Sequence, residues 1–279
     1  FTLEQLKKHE EATSCFERYL KLRPDAPYAC GYLHSSRMHL CDWQDYEKTA
    51  QSIMMRVEKG EPAMVPHGLT LLPSKRRHQQ QAAESWTQNS LGMIAEKPFD
   101  IAKPRKDDRI RIAYFSADFH NHPVAILTAR LFELHDRKKF EVFAFSLGAP
   151  SRDSMRLRIE KSVDHFINVR DMSDTEIVDR ARQEGIDIAI DMTGYTADNR
   201  TPVFALRAAP VQVNFLGYSA TMGADFMDYI IGDPVLIPQS HDVDYSEKVV
   251  RLPDTYMPCD PTREVSTRKV TRAEYDLPE

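Results

Sequence analysis

Glycine is scarce in this chain. Ten glycines in 279 residues is about half the ~7% of an average protein. No G-x-G-x-x-G and no Walker-type phosphate loop occurs, which excludes a self-contained dinucleotide or P-loop site. Cysteine is scarce too. Cys15, Cys30, Cys41 and Cys259 form no C-x-x-C pair and no disulfide framework, the usage of reduced thiols in a cytoplasmic protein. No H-E-x-x-H and no Cys/His quartet points to zinc. No apolar run approaches the ~18 residues of a membrane span, and the start does not read as a secretory leader. Charge of one sign is also lacking: the net charge is −5 and the pI ≈ 6.1. The short basic clusters Lys75–Arg77 and Lys103–Lys106 are diluted by nearby acids and read as solvated surface, not as a nucleic-acid footprint.

What is present divides into two styles. In "FTLEQLKKHEEATSCFERYLKLRPDAP" apolar residues Leu3, Leu6, Phe16 and Leu20 recur at helical spacing. Ala12, Phe16 four later and Pro24 eight beyond that match the second helix of a tetratricopeptide repeat, although a generic helical hairpin yields the same spacing. A lone repeat cannot bury both its faces, and Phe1 opens in mid-helix. The expectation is therefore the last unit of a longer array, residues 1–44. Residues 45–106 read as a helical connector and linker. Two prolines and dense charge in "EKPFDIAKPRKDDR" (96–109) mark the domain boundary.

Beyond it, strands and helices alternate. Strands are expected at 109–116, 140–148, 166–169, 186–194, 211–219 and 227–233. Helices are expected at 123–136, 151–163, 173–185 and 200–210. Ser173-x-x-Glu176 is a capping box and Gly185 a C′ glycine. Such alternation predicts βαβ units and a mostly parallel, Rossmann-like α/β layer over 107–279.

"GYSAT" (217–221) nearly matches the nucleophile elbow of hydrolases, but its second glycine is missing and no Asp…His order follows. His120-x-His122 offers two metal ligands with no third spaced to join them. Position is the remaining signal. In open parallel sheets ligands sit beyond the carboxyl ends of the strands. "ADFHNHP" (117–123), "DMTGYT" (191–196) and "LGYSATMG" (216–223) each follow a predicted strand, so three polar turns line one crevice edge. A histidine there can act as a general base toward a hydroxyl, or it is an ordinary loop histidine. The residues alone leave both open.

The blocks "RIRIAYFSADFHNHPV", "KFEVFAFSLG", "GIDIAIDMTGYT", "FALRAAPVQVNFLGYSATMGADFMDYIIGD" and "YSEKVVRLPDTY", in this order, resemble the bacterial relatives of the O-linked N-acetylglucosamine transferase. These are SPINDLY-like tetratricopeptide-repeat glycosyltransferases of the GT-B fold. "RMHLCDWQDYE" (37–47) extends the likeness toward the start. The resemblance implies inverting transfer of N-acetylglucosamine from UDP-GlcNAc to Ser/Thr hydroxyls of proteins, without metal or other cofactor. The repeats would take acceptor proteins, and neither nucleic acid nor membrane would be a partner. It implies that His122, rather than His120, is a base or acceptor-positioning residue. Asp191 would relay a proton, or cap the turn around Gly194. Thr196 and Gly217 would bind substrate. Lys248 would approach the donor phosphates, or form a surface ion pair.

The chain departs from the family pattern at Ser219-Ala220, where relatives usually carry Pro-Gly, and at Ala208, where they carry proline. Looser turns are expected at both places. "YDLPE" stands where relatives continue into a second Rossmann-like domain with the main nucleotide-binding residues. The 279 residues alone are therefore expected to be inactive. O-fucosyl transfer from GDP-fucose, and a non-catalytic repeat scaffold, are the alternatives.

Overall fold

The computed structural model describes residues 2–94, 108–263 and 266–278. The linker expected over 96–109 falls almost wholly outside them. The first part is helical: α1 (Thr2–Gln5), α2 (His9–Leu22), α3 (Ala29–His39), α4 (Tyr46–Glu58), α5 (Pro66–Leu69) and α6 (Arg76–Leu91). Ala12 is buried in α2, and Phe16 stacks on Tyr32 of α3 with ring centroids 5.7 Å apart. Helix α2 stops at Leu22, just before Arg23, whose backbone the ring of Pro24 steers away from the helical region. A separate small core, including Ile53, Val57, Met64, Leu69 and Ala82, joins α4 to α6. Among the described residues no helix is long and apolar enough to cross a membrane.

The second part is a sheet of seven parallel strands: β1 (Ile110–Ser116), β2 (Phe140–Ser146), β3 (His165–Asn168), β4 (Ile188–Asp191), β5 (Val211–Asn214), β6 (Tyr229–Gly232) and β7 (Lys248–Arg251). Its helices are α7 (Pro123–Leu134), α8 (Ser154–Ser162), α9 (Asp174–Gln183) and α10 (Pro202–Ala205). Side chains alternate across the strands. Ile112 and Tyr114 of β1 join the core that contains Val124, Ala129 and Phe132 of α7 and Ile159 of α8. Ala113 and Phe115 join the core that contains Ile177 and Val178 of α9 and Val203 and Phe204 of α10. The strand order is β3-β2-β1-β4-β5-β6-β7. The winding reverses between β1 and β4, the switch point at whose carboxyl edge ligands of open parallel sheets sit.

Some elements differ from expectation, and α10 spans only Pro202–Ala205 of the expected 200–210. β4 and β5 end at Asp191 and Asn214, three and five residues early, because the side chains of these two closing residues bind the backbone of the turns that follow. β7 was not anticipated, since its four residues begin and end in the charged Lys248 and Arg251. The 215–228 connection from β5 to β6 contains no helix. Helix α6 contributes instead to that side of the sheet: its Ala83 and Leu91 are buried in the same core as Phe115 and Phe145. The Ala208 turn is not loosened by the missing proline. Ala208 is fully buried and its backbone N–H, which proline lacks, donates to Gln212 Oε1 at 2.9 Å.

Candidate active site

The turn after β1 is built by short-range hydrogen bonds. Asp118 N–H donates to Ser116 Oγ (3.0 Å), His120 N–H to the Asp118 carbonyl (2.8 Å) and His122 N–H to the His120 carbonyl (2.6 Å). His122 is the N-cap of α7, and Pro123 takes the first helical position, where a missing N–H costs nothing. The half-buried His122 ring accepts a hydrogen bond from Val124 N–H at Nδ1 (3.3 Å), and the same nitrogen lies 3.7 Å from Asp118 Oδ2. Nδ1 thus has two uses. Unprotonated, it caps the helix; protonated, it faces the Asp118 carboxylate and leaves Nε2 bare. Burial pushes the Asp118 carboxyl up from its ordinary range. The imidazoles of His122 and His120 oppose the rise, and Asp198 from the turn after β4 adds to it. The two turns therefore sit within electrostatic reach of each other across the switch point.

Asp191 closes β4 and pairs with Phe115 of β1 on one side and Asn214 of β5 on the other. Its carboxylate is buried, and Oδ1 accepts from Thr193 N–H (2.9 Å) and Gly194 N–H (3.0 Å). Burial raises its pKa to about 6, against the pull of those two hydrogen bonds. Asp191 thus caps the turn around Gly194, and it titrates in a range where a proton relay operates. Thr196 lies in the same turn, its hydroxyl donating to the Thr193 carbonyl at 2.8 Å. Gly217 has a packing role in the next turn. A Cβ there would lie 1.9 Å from the Met192 carbonyl oxygen, so only glycine lets the β5 turn press on the β4 turn. Gly148 does the same after β2, against the Ala117 carbonyl. His122, Asp191, Thr196 and Gly217 therefore share one edge of the sheet.

Lys248 does not join them. The parallel β6–β7 register sets it opposite Tyr229, the first residue of β6, so it stands at the starting end of its strand. There it is exposed, 6.0 Å from the Tyr229 ring centroid, and borders a cleft of about 430 Å³ with Val211, Asp225 and Asp228. Strand direction thus sets this lysine at the edge opposite the three turns. Two supporting residues were not anticipated. Arg156 of α8 is buried, with Nη1 donating to Ser146 Oγ (2.8 Å) and to the Phe119 carbonyl (3.4 Å), and Nη2 to Asn168 Oδ1 (2.5 Å). Asp153, the N-cap of α8, accepts from Asn121 N–H at 3.1 Å. Together they pin the histidine turn to α8. "SRDSMRLR" holds three arginines, and only the fold shows which one is buried. Among the described residues no three His, Cys, Asp or Glu side chains cluster to hold a metal ion.

Residues 40–273 match the model of glycosyl transferase family 41. The chain belongs to that family. It is 33% identical over 231 residues to the Caenorhabditis elegans UDP-N-acetylglucosamine–peptide N-acetylglucosaminyltransferase, a match covering 78% of this chain and 20% of that protein. It is 37% identical over 176 residues to the Arabidopsis thaliana probable UDP-N-acetylglucosamine–peptide N-acetylglucosaminyltransferase SEC, covering 61% of this chain and 18% of the relative. A mutant of the Thermobaculum terrenum O-GlcNAc transferase superposes with a TM-score of 0.72 at 26% identity, over 94% of this family 41 chain and 51% of that one. The chain thus spans about a fifth of the length of those curated relatives and about half of the solved one. The shared α/β fold agrees with a Rossmann-like domain of a GT-B glycosyltransferase.

Proposed function

We propose that this chain is part of a protein O-glycosyltransferase that moves N-acetylglucosamine from UDP-GlcNAc, with inversion, to Ser/Thr hydroxyls of acceptor proteins. The observation that carries this is His122, half-exposed at the switch-point crevice of a family 41 chain with Asp118 beside its Nδ1. In the reaction the acceptor oxygen bonds to the anomeric carbon as the bond from that carbon to the diphosphate breaks, and UDP leaves. The hydroxyl proton passes to His122 Nε2. Asp118 faces the Nδ1–H of the resulting imidazolium and holds the ring. Asp191, beneath the crevice, relays a proton, while the turns of Thr196 and Gly217 shape the substrate side. Residues 1–44 act as a repeat unit that meets acceptor proteins, 45–106 as a connector and 107–279 as the catalytic sheet domain. The location is cytoplasmic, as four free cysteines fit. Because the chain covers half the solved relative, the 279 residues alone are expected not to turn over; transfer by the purified chain of this length refutes that.

The test uses the full-length protein with UDP-GlcNAc and GDP-fucose offered separately and acceptor proteins from its own cells. UDP-GlcNAc labelling that falls by about 10²–10⁴-fold in His122→Ala supports the reading. Labelling from GDP-fucose alone overturns the donor. Undiminished labelling in the variant overturns the role of His122, and no labelling from either donor favours the scaffold.

A further inference from the structure

The turns that follow β4 and β5 are fastened not only to each other but also to α6. Tyr195, four residues after Asp191, points its hydroxyl at Thr87 Oγ1 of α6 (2.5 Å) and at the Met222 carbonyl (2.9 Å), and Thr87 Oγ1 lies 3.1 Å from the same carbonyl. With two hydroxyl protons, one lies between the hydroxyls and the other is donated to Met222. Met222 is held from its other side as well, its N–H donating to the buried carboxylate of Glu247 at 2.6 Å, while Thr221 donates to that carboxylate at 2.7 Å. Gly223, at φ +57°, lets this loop lie directly on α6: a Cβ would come within 2.5 Å of Glu84 N and 2.8 Å of Ala83 Cβ. The Tyr195 ring is sandwiched edge-on between Trp86 (6.5 Å) and Tyr218 (5.7 Å), and Trp86 in turn meets Tyr28 at the start of α3 (5.0 Å). A continuous line of buried or part-buried rings runs from the helical hairpin to the turn that Asp191 caps.

We propose that Tyr195 is a positioning residue which, through Thr87 and the Met222 carbonyl, registers the helical region onto the carboxyl-edge turns of β4 and β5. The bridge spans 108 residues of sequence between Thr87 and Tyr195. It fixes the turn containing Asp191, Thr193 and Gly194 relative to the helices along which an acceptor protein would lie. It touches no reacting atom and acts through the geometry of the turn. The catalytic half of the idea rests on the transferase reading above; the structural half does not.

The experiment is hydrogen exchange on the full-length protein, read at the Thr193 and Gly194 amides that donate to Asp191, in Thr87→Val, Thr87→Ser and Tyr195→Phe. Losing one hydrogen bond of ordinary strength is worth about fivefold in the opening equilibrium. Exchange at these amides is expected to quicken by about that factor in Thr87→Val and Tyr195→Phe, with β1 and α9 amides unchanged and Thr87→Ser at the parent rate. In transfer assays the same two variants are expected to lose about tenfold in kcat with the KM for UDP-GlcNAc unchanged. Parent-rate exchange in both variants overturns the bridge, and so does acceleration spread equally through β1 and α9. A parent without transferase activity overturns the function alone, since the exchange result still decides the bridge.

Discussion

Asp191 is the most informative single residue. Its carboxylate is buried at the end of a central strand with two backbone N–H donors, and desolvation outweighs them. Its pKa rises from 3.8 to about 6, so the folded state holds a proton that the unfolded chain has already lost between those values. Stability must then fall as pH climbs from about 4 to about 6, by up to roughly 3 kcal/mol. Asp191→Asn keeps an acceptor oxygen for Thr193 and Gly194 but cannot ionise. Urea denaturation at pH 4, 5, 6 and 7 should show the variant gaining on the parent through that window and holding a constant lead above it. A lead that shrinks with pH would mean that the native site stabilises the carboxylate. Lys248 teaches the opposite lesson. The resemblance invites a phosphate at this cation, but strand direction sets it at the opposite edge of the sheet.

At the scale of elements, the carboxyl-edge turns form a stack with backbone against backbone. Gly217→Ala puts a methyl 1.9 Å from the Met192 carbonyl oxygen, an overpacking expected to cost about 1–3 kcal/mol and to lower the Tm by about 2–12 °C in a domain of this size. Thermal unfolding followed by circular dichroism measures it, and an unchanged Tm would show that the turns can part without cost. Much of this architecture is legible in the residues. β1 and β2 are seven-residue strands, largely apolar but for Arg111, Glu141 and their closing serines, and the Ser173–Glu176 capping box forms as read, with Ser173 N–H donating to Glu176 Oε2 at 2.7 Å. The histidine turn is found by its place after the first strand. What escapes sequence reading depends on distant partners: the burial of Arg156, the packing role of Gly217, the four-residue β7 and the pairing of Thr87 with Tyr195. None of these leaves a local period or cap to detect.

For the whole molecule, the boundary expected near residue 100 does not separate two independent cores. Ala83 and Leu91 of α6 are buried with Phe115 and Phe145 of the sheet, and Arg76 pairs with Asp244 at 2.9 Å. That exposed pair adds little by itself; the apolar contacts couple the parts. Unfolding should therefore be one cooperative event. Both tryptophans, Trp43 and Trp86, lie in the helical part, so their fluorescence reports that part and the contact of Trp86 with Tyr195, while far-ultraviolet circular dichroism reports the backbone of both parts. The two midpoints should coincide in urea, and a fluorescence transition that comes first would show that the helical part comes away separately.

The strand order has a consequence for synthesis on the ribosome. β1 is an interior strand of the sheet, yet its partner on the crevice side, β4, ends 75 residues after it in the chain, at Asp191. At about 5–20 residues per second, the nascent chain waits roughly 4–15 s with one edge of "IRIAYFS" unpaired. During that interval a largely apolar strand is open to chaperones and to other nascent chains. The crevice that holds the histidine turn comes into being only when the wait ends.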